Sequence, residues 1–197
     1  MCGRFEIDPD IPELKTLVSG SGLSLQYKTG EIFPADTALV LTSNGNDIIP
    51  ASMIWGFPKW DGKGVIFNAR SETAHEKPMF KNALMRQRIA IPTTGFYEWK
   101  AEGGRTKTKF FFTHPSENIL WLAGIYSRFG NENRFTILTT SANDSMAPYH
   151  HRMPVLLEKE EIETWINGGY PVFSRPDTSF INCRENHLIL LFAFIHR

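Results

Sequence analysis

Long apolar runs are missing from this chain. The longest, Leu188 to Ile195, covers eight residues, far fewer than the ~18 that a bilayer-crossing helix needs. The segment Met1-Cys2-Gly3-Arg4-Phe5-Glu6 has no apolar stretch of signal-peptide length, and a cytoplasmic protein is expected. Cysteine is scarce, with only Cys2 and Cys183. In a reducing compartment a structural disulfide is not expected, and two thiols fall short of a zinc framework. An excess of either charge is absent as well, because 21 Lys and Arg balance 21 Asp and Glu. A global basic field is therefore excluded, and any nucleic acid must be held by a local patch. Repeats, low-complexity tracts and linker-like Gly or Pro blocks are also lacking. What remains is 197 residues with 42% apolar and 13% aromatic side chains. That composition describes one folded domain, residues 1–197, and excludes a disordered or collagenous chain.

Most segments have strand character. Thr37 to Thr42, Ile48 to Phe57, Lys107 to Thr113, Leu120 to Phe129 and Arg134 to Ser141 are β-branched or aromatic runs bounded by turn residues. Arg88 to Pro92 and Phe96 to Lys100 flank a Thr-Thr-Gly turn, Gly130 to Asn133 suits a hairpin, and Met153 to Leu157 is a further short strand. Helices are expected at Pro12 to Val18, Ala69 to His75, Met79 to Gln87 and Glu158 to Asn167, with Pro78 breaking or kinking the pattern between the middle two. The balance predicts an α+β fold, one compact β-rich domain with a curved or barrel-like sheet and flanking helices. No Gly-rich strand-to-helix loop of the dinucleotide-binding kind is present.

Cys2 directly follows Met1. Its side chain is small enough for ordinary N-terminal processing, which would leave a free α-amine and a free thiol on adjacent carbons. The amine has an ordinary pKa of about 7.7–8.0, so part of it is unprotonated near neutrality. The thiol is intrinsically nucleophilic. Such an aminothiol can attack a carbonyl as an N-terminal nucleophile hydrolase does. It can also capture an aldehyde as an imine that closes to a thiazolidine, a ring closure favoured by effective molarity. A cysteine at position 2 is also explained by composition alone.

Four further segments carry chemistry. Asn68-Ala69-Arg70-Ser71-Glu72-Thr73 follows an apolar run, so Asn68 stands at a strand end or helix N-cap and Arg70 could clamp a phosphate. From spacing alone, plain helix capping with Arg70 and Glu72 in surface pairs is the better explanation. In Gly95-Phe96-Tyr97-Glu98-Trp99-Lys100 a strand puts Phe96, Glu98 and Lys100 on one face. A carboxylate desolvated among aromatics suits general acid–base work; an edge-strand Glu98–Lys100 pair is the alternative. Tyr149-His150-His151-Arg152-Met153-Pro154 offers imidazoles that can move protons near neutral pH. Extended backbone would send them to opposite sides, and no third zinc ligand stands at a recognisable spacing. Trp55 and Trp60 flank Phe57-Pro58-Lys59; Trp55 is expected in the core and Trp60 at the surface, where it could stack on a base.

Taken in order, Met1-Cys2-Gly3-Arg4-Phe5, Phe67 to Thr73, Gly95 to Lys100 and His150 to Pro154 resemble the SOS response-associated peptidase (SRAP) family. Gly30-Glu31-Ile32-Phe33-Pro34 and Trp55-Gly56-Phe57 fit too. The resemblance runs from residue 1 to about residue 166, and the tail beyond about residue 170 diverges. Lys77-Pro78 stands where many relatives carry an Arg, and Ile32-Phe33 replaces an Asn-bearing version.

The resemblance implies an abasic-site sensor and shield in single-stranded DNA. It would cross-link to the lesion as a thiazolidine through Cys2, once Met1 is removed by self-processing. By motif, Cys2, Asn68, Glu98 and His150 would form the catalytic set. Arg4, Arg70 and Arg152 would hold phosphates, and Pro34 and Trp60 would press on neighbouring bases. No metal or nucleotide cofactor is implied, and a nucleoid-associated cytoplasmic monomer is expected, with single-strand/double-strand junctions left open as DNA partners. Two rival readings stand beside this one. A class II glutamine amidotransferase-like amidase would use the Cys2 thiolate, and a non-covalent single-strand binding module would not need Cys2 at all.

Overall fold

The computed structural model describes residues 2–101, 107–169 and 182–185. The tail called divergent lies outside the described residues, except for one short strand. Five strands close on one another: β3 (Thr37–Ser43), β4 (Ile48–Trp55), β8 (Arg88–Thr93), β11 (Leu120–Phe129) and β12 (Glu132–Ser141). The ring runs β12-β4-β3-β8-β11 and back to β12. Every pairing in it is antiparallel except β12 with β4, where Phe135 sits opposite Trp55 in parallel register. Closure removes the free edges that an open sheet would have to protect. It also explains why β8 has no polar face, since all six of its residues are buried.

Three short strands extend the ring: β7 (Asn68–Arg70) lies parallel to β12, β13 (Arg152–Pro154) is antiparallel to β12, and β14 (Leu156–Leu157) is antiparallel to β11. A second sheet has the order β15-β10-β9-β1-β2. Its members are β1 (Phe5–Ile7), β2 (Gly30–Ile32), β9 (Gly95–Ala101), β10 (Lys107–Thr113) and β15 (Asn182–Glu185). A small ribbon, β5 (Phe57–Pro58) with β6 (Val65–Ile66), and three helices complete the fold: α1 (Pro12–Ser19), α2 (Pro78–Arg86) and α3 (Glu161–Ile166). The architecture is the expected α+β, β-rich single domain.

Trp55 centres the core. Its ring meets Phe5 at 4.9 Å, Phe67 at 5.8 Å and Phe135 at 6.3 Å, and its Nε1–H donates to the Phe67 carbonyl at 2.9 Å. The contact joins both sheets, since Phe5 belongs to β1 and Phe135 to β12. Burial of each such ring stabilises the fold by about 1.5–3 kcal/mol. A second anchor is Arg88, whose guanidinium is buried. It donates to the carbonyls of Leu84 (2.6 Å), Trp165 (3.4 Å) and Gly169, and its charge lies 4.7 Å from the Trp165 ring. One cation thus ties α2 and α3 to β8 through carbonyls at and just beyond the helix ends.

Three local expectations change, and a fourth gains detail. Ala69 to His75 is not a helix: Asn68–Arg70 is strand and turns follow. The edge of β12 takes up that backbone, with Ile137 N–H donating to Phe67 O at 3.1 Å and Ser71 N–H to Thr139 O at 2.9 Å. Tertiary pairing outweighs the local helical pattern. Pro78 does not kink a helix but opens one, because a first-turn proline sacrifices no hydrogen bond. The Thr93-Thr94-Gly95 turn is present, as a bend at Thr94. It carries the chain from the barrel strand β8 to β9 of the other sheet, steadied by Thr94 N–H on Glu6 O at 2.9 Å. Finally, Met153 to Leu157 splits around Val155, whose N–H bonds Leu138 O at 2.8 Å while its carbonyl accepts from Ala123.

Candidate active site

The sheet of β1 and β9 builds the site. Phe5 sits opposite Phe96 and Glu6 opposite Gly95, and the Tyr97 N–H reaches Arg4 O at 2.9 Å. The chain before Phe5 therefore runs on alongside Glu98 and brings Cys2 into the interior, where it is fully buried. On the other side of β9, Gly95 permits the close approach of β10. A Cβ there would come within 2.5 Å of both the Phe111 ring and the Phe112 carbonyl.

Period-two alternation on β9 sorts the aromatics as the sequence predicts. Phe96 stacks on Phe112 at 5.2 Å on one face, and Tyr97 meets Phe111 at 4.6 Å on the other. Glu98 shares the Phe96 face and is buried at 3% exposure. Because β9 lies between β10 and β1, it is not an edge strand. Tyr149 closes over this face, packing on Phe110 at 4.7 Å and Phe112 at 5.2 Å, with the Lys100 ammonium 5.5 Å from its ring. Its role at this wall was not legible in the sequence beyond its position beside His150.

The charge of Glu98 acts on two neighbours. Burial, reinforced by the Glu98 carboxylate, pushes the Cys2 thiol well above the ordinary thiol range, so it is a neutral S–H. Its Sγ lies 3.6 Å from the Arg4 carbonyl. Burial holds His150 below the usual imidazole value, and the Glu98 charge works in the opposite direction. Asn68, at the head of β7, donates its Nδ2–H to the Cys2 carbonyl at 2.8 Å. Its Oδ1 is buried without a hydrogen-bond partner among the described residues. Cys2, Asn68, Glu98 and His150 are thus one constellation, gathered from positions spread over the chain.

The two imidazoles do not diverge as extended backbone would require. Residues 144–149 form turns, with His150 N–H on Met146 O at 3.0 Å, and the rings of His150 and His151 stack at 4.4 Å. Among the described residues no cluster of three or more His, Cys, Asp or Glu is arranged to hold a metal ion.

The other named residues differ in their freedom. Arg70 is exposed and Trp60 fully so, whereas Trp55 is buried. Pro34 is half-buried in the β2–β3 turn. Arg4 bonds Glu31 at 3.0 Å and lies over the rings of Phe33 (4.1 Å) and Trp99 (5.0 Å). The Glu31 carboxylate also takes Lys109 at 2.5 Å. Arg152 is the least available. Its guanidinium makes a two-pronged ion pair with Glu72 at 2.7 and 2.8 Å, and its side chain is only 10% exposed. Only an alignment of opposite charges eighty residues apart would have revealed that pairing in the sequence.

A β-rich barrel thus gathers a buried Cys2, the Asn68 amide bonded to its carbonyl, and a buried Glu98 whose charge acts on both Cys2 and His150. A match to the family described as SOS response associated peptidase (SRAP) spans residues 1–188, past the point where the motifs fade. The chain belongs to that family. The abasic site processing protein YoqW of Bacillus subtilis is 31% identical over 183 residues, 85% of this chain and 80% of its own. The abasic site processing protein YedK of Escherichia coli is 29% identical, over 84% of this chain and 79% of its own. A crystal structure of a protein from Bacteroides thetaiotaomicron shares the fold with a TM-score of 0.72 at 23% identity, over 95% of this chain and 93% of that one.

Proposed function

We propose that this protein processes abasic sites in single-stranded DNA by forming a covalent thiazolidine through Cys2. The observation that carries this reading is the placement of Glu98, buried where its charge is felt by both the Cys2 thiol and the His150 imidazole. Hydrolysis of the Met1–Cys2 bond by the protein itself would free the amine first.

The lesion sugar is a closed hemiacetal, and its opening moves a proton from the C1′ hydroxyl to the ring oxygen. Glu98 is the buried carboxylate suited to that transfer. The Cys2 amine then attacks C1′, and water leaves to give an imine. The thiol sulfur adds to the imine carbon while its proton passes to the nitrogen, closing the ring with release of one water overall. A thiol held neutral leaves the amine to react first, so the order of the steps follows from burial. Asn68 fixes the Cys2 backbone through Nδ2, and its Oδ1 is an acceptor for the freed amine or a sugar hydroxyl. His150 donates to a phosphate or relays a proton. Arg4 and Arg70 supply phosphate contacts, and Trp60 and Pro34 supply stacking surfaces beside the lesion.

A denaturing gel tests the reading. Wild type should give a heat-stable adduct with abasic single strands and none with intact ones, and Cys2→Ala should give none. An equal adduct from Cys2→Ala would sink the thiazolidine. Glutaminase activity without DNA would support the amidase instead.

A further inference from the structure

A strand that stacks on Pro34 runs beside Phe33, whose ring is exposed. The Arg4 guanidinium lies over that ring at 4.1 Å and the Lys28 ammonium at 4.7 Å. Each of these cations meets a carboxylate, but the two carboxylates are held differently. Asp36 takes Lys28 at 2.6 Å and also accepts the Phe33 N–H at 2.8 Å, so it fixes the β2–β3 turn. Glu31 accepts from side chains alone among the described residues. Arg4 Nη1 meets its Oε2 at 3.0 Å and Lys109 Nζ meets its Oε1 at 2.5 Å.

Sheet register brings this trio together. Phe5 sits opposite both Phe96 and Ile32, on the Glu98 face. Arg4 and Glu31, one residue before Phe5 and Ile32, are therefore on the reverse face. Lys109 sits opposite Trp99, on that reverse face as well. Its ammonium lies 3.9 Å from the centre of the Tyr97 ring, and Arg4 lies 5.0 Å from that of Trp99. Solvent reaches all three charged side chains, at 27% exposure for Arg4, 17% for Lys109 and 33% for Glu31. Two cations share one negative charge, so the trio keeps a net positive charge. A phosphate diester carries the same charge as Glu31 and takes the same donors. Ion pairs open to water add little to stability, so exchanging one anion for the other costs the fold little.

We infer that Arg4 and Lys109 form a seat for one backbone phosphate of single-stranded DNA, and that Glu31 fills this seat and withholds it from intact strands. The inference takes its ligand from the proposed function. It adds Lys109 to the binding surface and makes Glu31 a specificity-determining residue, because a carboxylate in the seat weakens the hold on any strand that offers only its backbone.

The test measures binding of the full chain to a labelled intact single strand by fluorescence anisotropy over a range of chloride concentrations. Glu31→Gln should bind about tenfold tighter than wild type, the scale of one charge-assisted contact. Its log–log salt slope should steepen by about 0.7, as for one more phosphate held. In a Lys109→Gln background the gain should vanish. Intact competitor should also slow cross-linking to abasic strands more in Glu31→Gln than in wild type. Unchanged or weaker binding by Glu31→Gln would overturn the seat. So would an equal gain without Lys109, the mark of a general field and not of a local site. Should Glu31→Gln not fold, Glu31→Asp decides, because a shorter carboxylate keeps its charge but cannot bridge both cations; it should still bind intact strands more tightly than wild type, and failure to do so rejects the seat. Inorganic phosphate in place of chloride at equal ionic strength should leave the gain intact; its loss would make a free anion the occupant and overturn the assignment to DNA. If wild type forms no adduct with abasic strands, the thiazolidine fails while the binding series still judges the seat.

Discussion

The Asn68 side-chain amide holds the Cys2 carbonyl at 2.8 Å across 66 positions of sequence. This bond ties the beginning of the chain to the edge of the barrel through β7. It also holds Cys2 where the Glu98 charge reaches it. Replacing Asn68 with Ala removes the tether and leaves a buried carbonyl without its donor, a cost of about 1–3 kcal/mol. Asn68→Ala should lower the midpoint of urea unfolding and slow adduct formation further than the stability loss explains. Single-turnover rates on abasic DNA, taken well below the midpoint, separate the two effects; equal rates would remove Asn68 from the site.

Stability should depend on pH through His150. Burial depresses its pKa in the fold, so below the ordinary imidazole value of about 6.5 the unfolded chain binds more protons. The contribution is therefore complete above that value and is lost as the pH falls through it toward the folded pKa. The Glu98 charge opposes the shift, and the charges of the chain's amino terminus and of His151 add to it. Urea unfolding of wild type at pH 7.5 and 5.5 should show the loss, and His150→Gln should flatten it. A variant with the same pH slope would assign the dependence elsewhere.

Trp60 and Trp55 should behave as opposites. Trp60→Ala leaves thermal unfolding unchanged, since the ring is fully exposed, and weakens single-strand binding by about 1–3 kcal/mol if a base stacks on it. Trp55→Ala should cost about 3–5 kcal/mol of stability. Fluorescence anisotropy with a labelled oligonucleotide and a thermal melt distinguish the two.

Gly95→Ala tests the crowding at β9. The added methyl would strike the Phe112 backbone as well as the Phe111 ring, and overpacking of this kind costs about 1–3 kcal/mol. A melt unchanged from wild type would show that β9 can retreat from β10.

Much of this arrangement was legible because strands announce themselves by alternation and turns by their residues. The bounds of Lys107–Thr113 and Leu120–Phe129 are those the sequence suggests. The faces of β9 follow from period two alone. Where reading failed, the deciding partner was distant. Ala69 to His75 has helical spacing, but the free edge of β12 claims its first residues. His150 and His151 stack because a preceding turn, not an extended run, sets their backbone. Tertiary pairs such as Glu72 with Arg152, or the three carbonyls that Arg88 satisfies, have no signature in local composition. The constellation of Cys2, Asn68, Glu98 and His150 was suggested by family motifs, because spacing alone supported plainer explanations for each.

Strand β12 borders β4, β7, β11 and β13. None of these four strands can peel away without breaking a ladder that β12 holds. Its amides should therefore be among the last to exchange with deuterated solvent, and a chain severed at the Gly130–Asn131 bend would need both fragments present before either acquired structure.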